Sequence, residues 1–199
     1  LRMRGRSKVL VARDYEEATA LIDRYGDNIM GLVTDGRFPR NGEKDPDAGM
    51  ALAEYLHRRR PYAPVIMESA ETDNRKRAEE AGYVFLDKNS KTLPIDLRKA
   101  VSHMFGFGDF IVKYPGNGRE LMRITNLKDL QHKIFEIPDD LLHYYCSTNC
   151  ISRWLYSRAL FPIADFLRTF EFIDIEDAPK VRRLVFECIV SYRRMKNRG

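Results

Sequence analysis

The chain has little that would tie it to a membrane or to an oxidising compartment. No apolar run in its 199 residues approaches the ~20 needed to span a bilayer. The first residues, LRMRGRSK, are basic where a secretory signal would be apolar. Cysteine is scarce and odd in number (Cys146, Cys150, Cys188), which argues against a disulfide scaffold. Cys146 and Cys150, with His143 nearby, could be drawn as metal ligands on one helical face. Structural zinc normally takes four ligands, however, and no second Cys/His pair is in sight, so buried thiols are the expected reading. There is no glycine-rich phosphate loop and no histidine motif for phosphoryl carriage; His103, His132 and His143 stand singly in helical patterns. These absences point to a cytoplasmic protein that does not contact membrane and is not an enzyme by itself.

What is present is ordinary for a folded domain. Apolar residues make up 44% and charged residues 32%, enough to bury a real core, and the length suits one domain or two small ones. The net charge of +5 is gathered in LRMRGR, HRRR and SYRRMKNRG. Such a balance permits a nucleic-acid or acidic partner without requiring one. The chain starts at Leu1 and stops at Gly199 just after a helical pattern, which reads as a piece of a longer polypeptide.

Apolar periodicity divides the chain in two. KVLVA (8–12), IMGLVT (29–34), PVIMES (64–69) and YVFLDK (83–88) read as buried strands. Helical patterns lie between and after them. Asp14 offers an N-cap with Glu17 as its capping-box partner, and Gly26 is the stop. MALAEYLHRRR (50–60), TDNRKRAEEAG (72–82) and LPIDLRKAVSHMF (93–105) follow, while 35–49, with three glycines and two prolines, reads as irregular. Strands alternating with helices at short spacing predict a parallel sheet of about four strands over residues 1–106. Residues 107–199 change texture, with a β-hairpin at 108–124 and helical patterns at 126–136, 139–146, 150–168 and 178–194. Asn126 and Asn149 are the expected caps, Pro162 predicts a kink or a break, and 168–179 reads as a linker.

In an open parallel sheet, ligands bind at the carboxyl ends of the strands. Asp35, Ser69 and Lys88 each stand at such an end. A carboxylate, a small hydroxyl and a lysine at one sheet edge can make a phosphoryl pocket: nucleophile, hydrogen-bond donor and charge partner. VTDGRFP, PVIMESA and AGYVFLDK resemble the receiver domains of two-component response regulators, over roughly residues 8–105. The resemblance implies a flavodoxin-like fold, with Asp35 as phosphoryl acceptor, Ser69 as switch hydroxyl, Lys88 as the invariant lysine and Phe85 as switch aromatic. It also implies Mg²⁺ at Asp35 in the intact parent, held with an acidic pair that follows the first strand of a receiver. Asp14 stands too close before Asp35 to belong to that pair, so the first strand and its acidic residues are expected upstream of Leu1, and no cofactor is expected on this chain alone. Lys88 is followed by Asn89 where receivers usually have proline, and NGEKDP looks like an insertion after Pro39.

The second half, most recognisably IPDDLLHYY and SRWLYSRALFPIA, resembles the helical segment that precedes the catalytic domain in proteins related to phosphoenolpyruvate synthase and pyruvate, phosphate dikinase. Together the two resemblances imply a regulatory, signal-receiving module. Its partners would be a downstream catalytic domain of the same polypeptide and either a histidine kinase or a small phosphodonor. A sheet without its first strand leaves an edge for a partner chain in a homodimer, or for direct pairing of the second and third strands. Two alternatives stand beside this reading: a nucleic-acid-binding response regulator using Arg153 and Arg158, disfavoured by the apolar Trp154, Leu155, Tyr156, Leu160 and Phe161 around them, and a degenerate receiver kept as a docking scaffold.

Overall fold

Val65, Ile66 and Met67 are all buried, although successive side chains of a strand point to opposite faces. The strand that carries them is therefore covered on both sides, as the centre of a parallel sheet should be. The computed structural model describes residues 7–169 and 175–196. They fall into two units, one running to Phe105 and the other starting at Gly106.

The first unit is mixed α/β. Helix α1 (Tyr15–Tyr25) leads to β1 (Leu32–Asp35), a short hairpin of β2 (Phe38–Arg40) and β3 (Glu43–Asp45), and helix α2 (Ala48–Arg59). Then come β4 (Val65–Ser69), α3 (Thr72–Glu80), β5 (Val84–Asp87) and α4 (Leu93–Met104). The parallel sheet has the order β1-β4-β5. Ala18 and Ile22 of α1 pack with Leu52 and Leu56 of α2, while Ala53, Val65, Met67, Ala78 and Tyr83 form a second cluster. The expected cap of α1 is present: Asp14 Oδ1 accepts the Glu17 N–H at 2.8 Å, and the Glu17 carboxylate accepts the N–H of Arg13 at 2.9 Å. Part of the HRRR charge is spent locally, since Arg59 pairs with Asp27 at 3.1 Å.

Two expectations fail here. Residues 8–12 form no strand, and Val9 and Val11 are 89% and 73% exposed. A strand needs a neighbour's N–H and C=O groups as much as an apolar face. Among the described residues β1 pairs only with β4, so the run 8–12 has no ladder to join, does not pair with β1 directly, and the parallel sheet has three strands. Residues 35–49 are not irregular throughout either, because they contain the β2–β3 hairpin. Its two-residue turn, Asn41-Gly42, takes φ of 54° and 81°, the left-handed values that an Asn-Gly pair accepts at low cost.

The second unit opens with the hairpin β6 (Phe110–Lys113) and β7 (Glu120–Ile124). Helices α5 (Leu127–Lys133), α6 (Asp139–Ser147), α7 (Cys150–Tyr156), α8 (Phe161–Thr169) and α9 (Ala178–Lys196) follow. The pattern 150–168 is broken, not kinked: Ala159 turns left-handed at φ 56° and Pro162 falls in the first turn of α8, where its missing N–H costs no helix bond. Asn126 caps α5 by accepting the Asp129 N–H at 3.0 Å. Asn149 does not cap α7 through its side chain. It sits at φ 57° in the tight connection after α6, a conformation asparagine tolerates better than most residues, and no backbone N–H of α7 reaches its side chain. Of the expected linker, 170–174 lie outside the described residues and 175–177 form a 3₁₀ turn.

This unit's core closes on side chains that bond backbone. Trp154 is buried and its Nε1 donates to the Gly108 carbonyl at 3.1 Å. Tyr145 stacks edge-on against Phe110, accepts the Lys113 N–H at 2.7 Å and donates to the Lys113 carbonyl at 3.0 Å. The nearly buried Arg182 donates to the Ile137 carbonyl and pairs with Asp139 at 2.6 Å. Tyr145→Phe therefore leaves the Lys113 N–H without its partner and should lower stability by about 1–2 kcal/mol. Urea unfolding measures that loss, and amide hydrogen exchange should accelerate at Lys113; an unchanged midpoint and unchanged exchange would contradict the role given to the hydroxyl.

Candidate functional site

The ladder of β4 sets three side chains at one sheet edge. Asp35 is opposite Glu68 in register, and Ser69 is opposite Asp87. Each pairing runs one residue past its strand: Gly36 N–H donates to the Glu68 carbonyl at 2.8 Å, and Lys88 N–H donates to the Ser69 carbonyl at 3.0 Å. Register sets Asp35 level with Glu68 and Leu86, so Lys88, two residues beyond Leu86, leaves the sheet further along but on the same face as Asp35. The Lys88 ammonium reaches over to the Asp35 carboxylate and forms an ion pair with Oδ1. Both side chains are part-exposed, so the pair faces solvent.

Ser69, on the strand between them, is 5% exposed. Its Oγ accepts the Glu71 N–H at 3.1 Å and an Asn74 Nδ2–H at 3.0 Å. Asn74 is itself only 3% exposed, in the first turn of α3. The chain closes on this pair tightly: a Cβ at Gly36 would fall 2.8 Å from Asn74 Nδ2 and 3.0 Å from Ser69 Oγ. The start of α2 comes equally close, since Gly49 N–H donates to the Gly36 carbonyl at 3.2 Å and a Cβ at Gly49 would lie 2.2 Å from the Asp35 carbonyl oxygen. At the rim, Arg37 pairs with Glu71 at 3.2 Å and Arg77 with Asp47 at 2.5 Å.

Phe85 lies on β5, packed against the Met67–Tyr83 cluster, with the Arg75 guanidinium 4.7 Å from its ring centre. Asp35, Ser69 and Lys88 are thus gathered at one edge, while Phe85 stands lower in the sheet. Sequence reading overlooked Asn74, Gly36 and Gly49. Asn74 carried a usable signal: in the charged helix TDNRKRAEE it is four residues before Ala78, and those two positions make the buried stripe.

The residues described do not by themselves fit a Mg²⁺ ion. Asp35 offers one carboxylate, already paired with Lys88, and among the described residues no three His, Cys, Asp or Glu side chains converge. The chain matches no family model, no curated protein and no solved structure.

Elsewhere, all three thiols are free. Cys150 Sγ accepts from Arg153 Nη2 at 3.3 Å and lies 3.2 Å from Thr148 Oγ1. Burial, with the neighbouring Cys150 adding to it, pushes the Cys146 thiol up to about 12.

Two expected outcomes follow from this geometry. Gly49→Ala drives a methyl into the backbone of Asp35, and should cost about 1–3 kcal/mol in urea unfolding; full retention of stability would mean that α2 does not abut β1 as described. At pH 8 only about 10⁻⁴ of a thiol titrating near 12 is thiolate. Iodoacetamide should accordingly spare Cys146 in the folded protein and label it in urea, as read by peptide mass spectrometry.

Proposed function

We propose that this chain is a signal-receiving regulatory module of a larger polypeptide of the phosphoenolpyruvate-synthase-related kind, in which Asp35 accepts a phosphoryl group. The observation that carries the reading is the meeting of Asp35, Ser69 and Lys88 at the carboxyl ends of three adjacent parallel strands, with Lys88 paired to Asp35. Strand order β1-β4-β5 suits one half of a flavodoxin-like receiver sheet. An Asp35 oxygen attacks the phosphorus of a small donor such as acetyl phosphate; the bond from phosphorus to the acyl oxygen breaks and acetate leaves with its electron pair. Lys88 offsets charge on the incoming phosphoryl oxygens, and the Ser69 hydroxyl donates to one of them. The phosphorylated site then biases the contacts of the first unit toward an attached catalytic domain.

A degenerate receiver kept as a docking scaffold has one observation in its favour: Asp35 is already neutralised by Lys88, as a sheet-edge cap would be. The nucleic-acid reading has less support. Arg158 Nη2 donates to the Gly108 carbonyl at 2.7 Å with its guanidinium over the Trp154 ring, and Arg153 donates to the Thr148 carbonyl at 2.9 Å, so both cations serve their own fold.

Intact-mass spectrometry after incubation with acetyl phosphate and Mg²⁺ separates the first two readings. We expect an adduct on a version extended upstream of Leu1, absent from its Asp35→Asn variant and absent or weak on the 199-residue chain. Without an adduct on either version, the scaffold reading replaces this one.

A further inference from the structure

We infer that Asn74 is a positioning residue that aims the Ser69 hydroxyl proton at the phosphoryl group on Asp35, an inference that rests on the reading of Asp35 as acceptor. A serine hydroxyl has one proton to donate and two lone pairs to accept with. Both lone pairs of Ser69 are occupied, one by the Glu71 N–H and the other by the Asn74 amide. No acceptor takes its proton among the described residues, so donation is the only hydrogen-bonding valence Ser69 has left.

A phosphoryl oxygen is an acceptor and nothing else, which matches that single valence. The hydroxyl is closely enclosed. Ser69 and Asn74 are nearly fully buried, and Gly36, directly after Asp35, packs on both with no room for a Cβ. A serine with a free rotor would spread its proton over three staggered positions. Here Asn74 and the start of α3 hold two of the three directions around the oxygen, and the donor is oriented before any phosphoryl group arrives.

Aspartate at position 74 is nearly isosteric but reverses the polarity. Its carboxylate accepts a hydrogen bond from the Ser69 O–H, and the hydroxyl then turns a lone pair toward the phosphoryl oxygens. The test measures the yield and lifetime of the Asp35 adduct from acetyl phosphate on the upstream-extended protein, for wild type, N74D, S69A and the double variant S69A/N74D. Loss of one hydrogen bond to a charged oxygen corresponds to about a tenfold fall in retained adduct. N74D should match S69A in this fall, and add nothing when Ser69 is already alanine. An N74D effect that persists in full on the S69A background comes from charge or packing and overturns the inference. N74D indistinguishable from wild type overturns it as well, while leaving Asp35 as acceptor. No adduct on wild type removes the acceptor reading itself, and this inference with it. If N74D does not fold, Asn74→Ala takes its place, with a loss of about threefold expected, again abolished in S69A.

Discussion

The backbone ladder of β4 is the constraint from which the first unit is built. Its three apolar residues are buried on both faces, and both other strands of the sheet hang from its N–H and C=O groups. Because Asp35, Glu68 and Leu86 share one level, Lys88 two residues on falls on the same face as Asp35, and its long stem crosses the intervening strand to the carboxylate. The ion pair is thus a consequence of register. Being part-exposed, it contributes little to stability by itself. What it does is bring a cation and a carboxylate together at the sheet edge where Ser69 ends the central strand.

Close backbone approach is the second element of that site. Gly36 and Gly49 let the chain after β1 and the start of α2 come within contact of Ser69, Asn74 and the Asp35 carbonyl. A side chain at either position would push these apart, so the glycines act by what they leave out. The second unit solves a different problem. A two-stranded hairpin has too little apolar surface to stand alone, and here Phe110, Val112 and Ile124 are covered by helices whose polar tips, Trp154 Nε1 and Tyr145 Oη, return to bond backbone at 108 and 113.

Legibility in the sequence varied with how local the cause was. Caps at Asp14 and Asn126 and the proline break before α8 are decided within a few residues, and each could be read from them; Gly26, the expected stop, follows α1 but keeps helical dihedrals and opens a 3₁₀ turn. The Asn41-Gly42 turn is equally local, yet its flanks, FPR and EKD, lack the alternating apolar pattern that usually accompanies a hairpin, so the sequence alone presents the segment as irregular. KVLVA misled for the opposite reason. Its composition is that of a buried strand, but a strand is a relation between two segments, and among the described residues it has no partner.

By itself the amino-acid sequence determined which residues prefer strand or helix, where those elements stop, and that an aspartate, a serine and a lysine each follow an apolar run. Those are properties of neighbours along the chain. Only the tertiary structure decided that β4 stands between β1 and β5, that Lys88 therefore reaches Asp35, and that an asparagine in a helix otherwise rich in charge turns inward to occupy the Ser69 oxygen. Those contacts join residues from separate elements. They depend on register and on the space left by two glycines, neither of which is written at any single position.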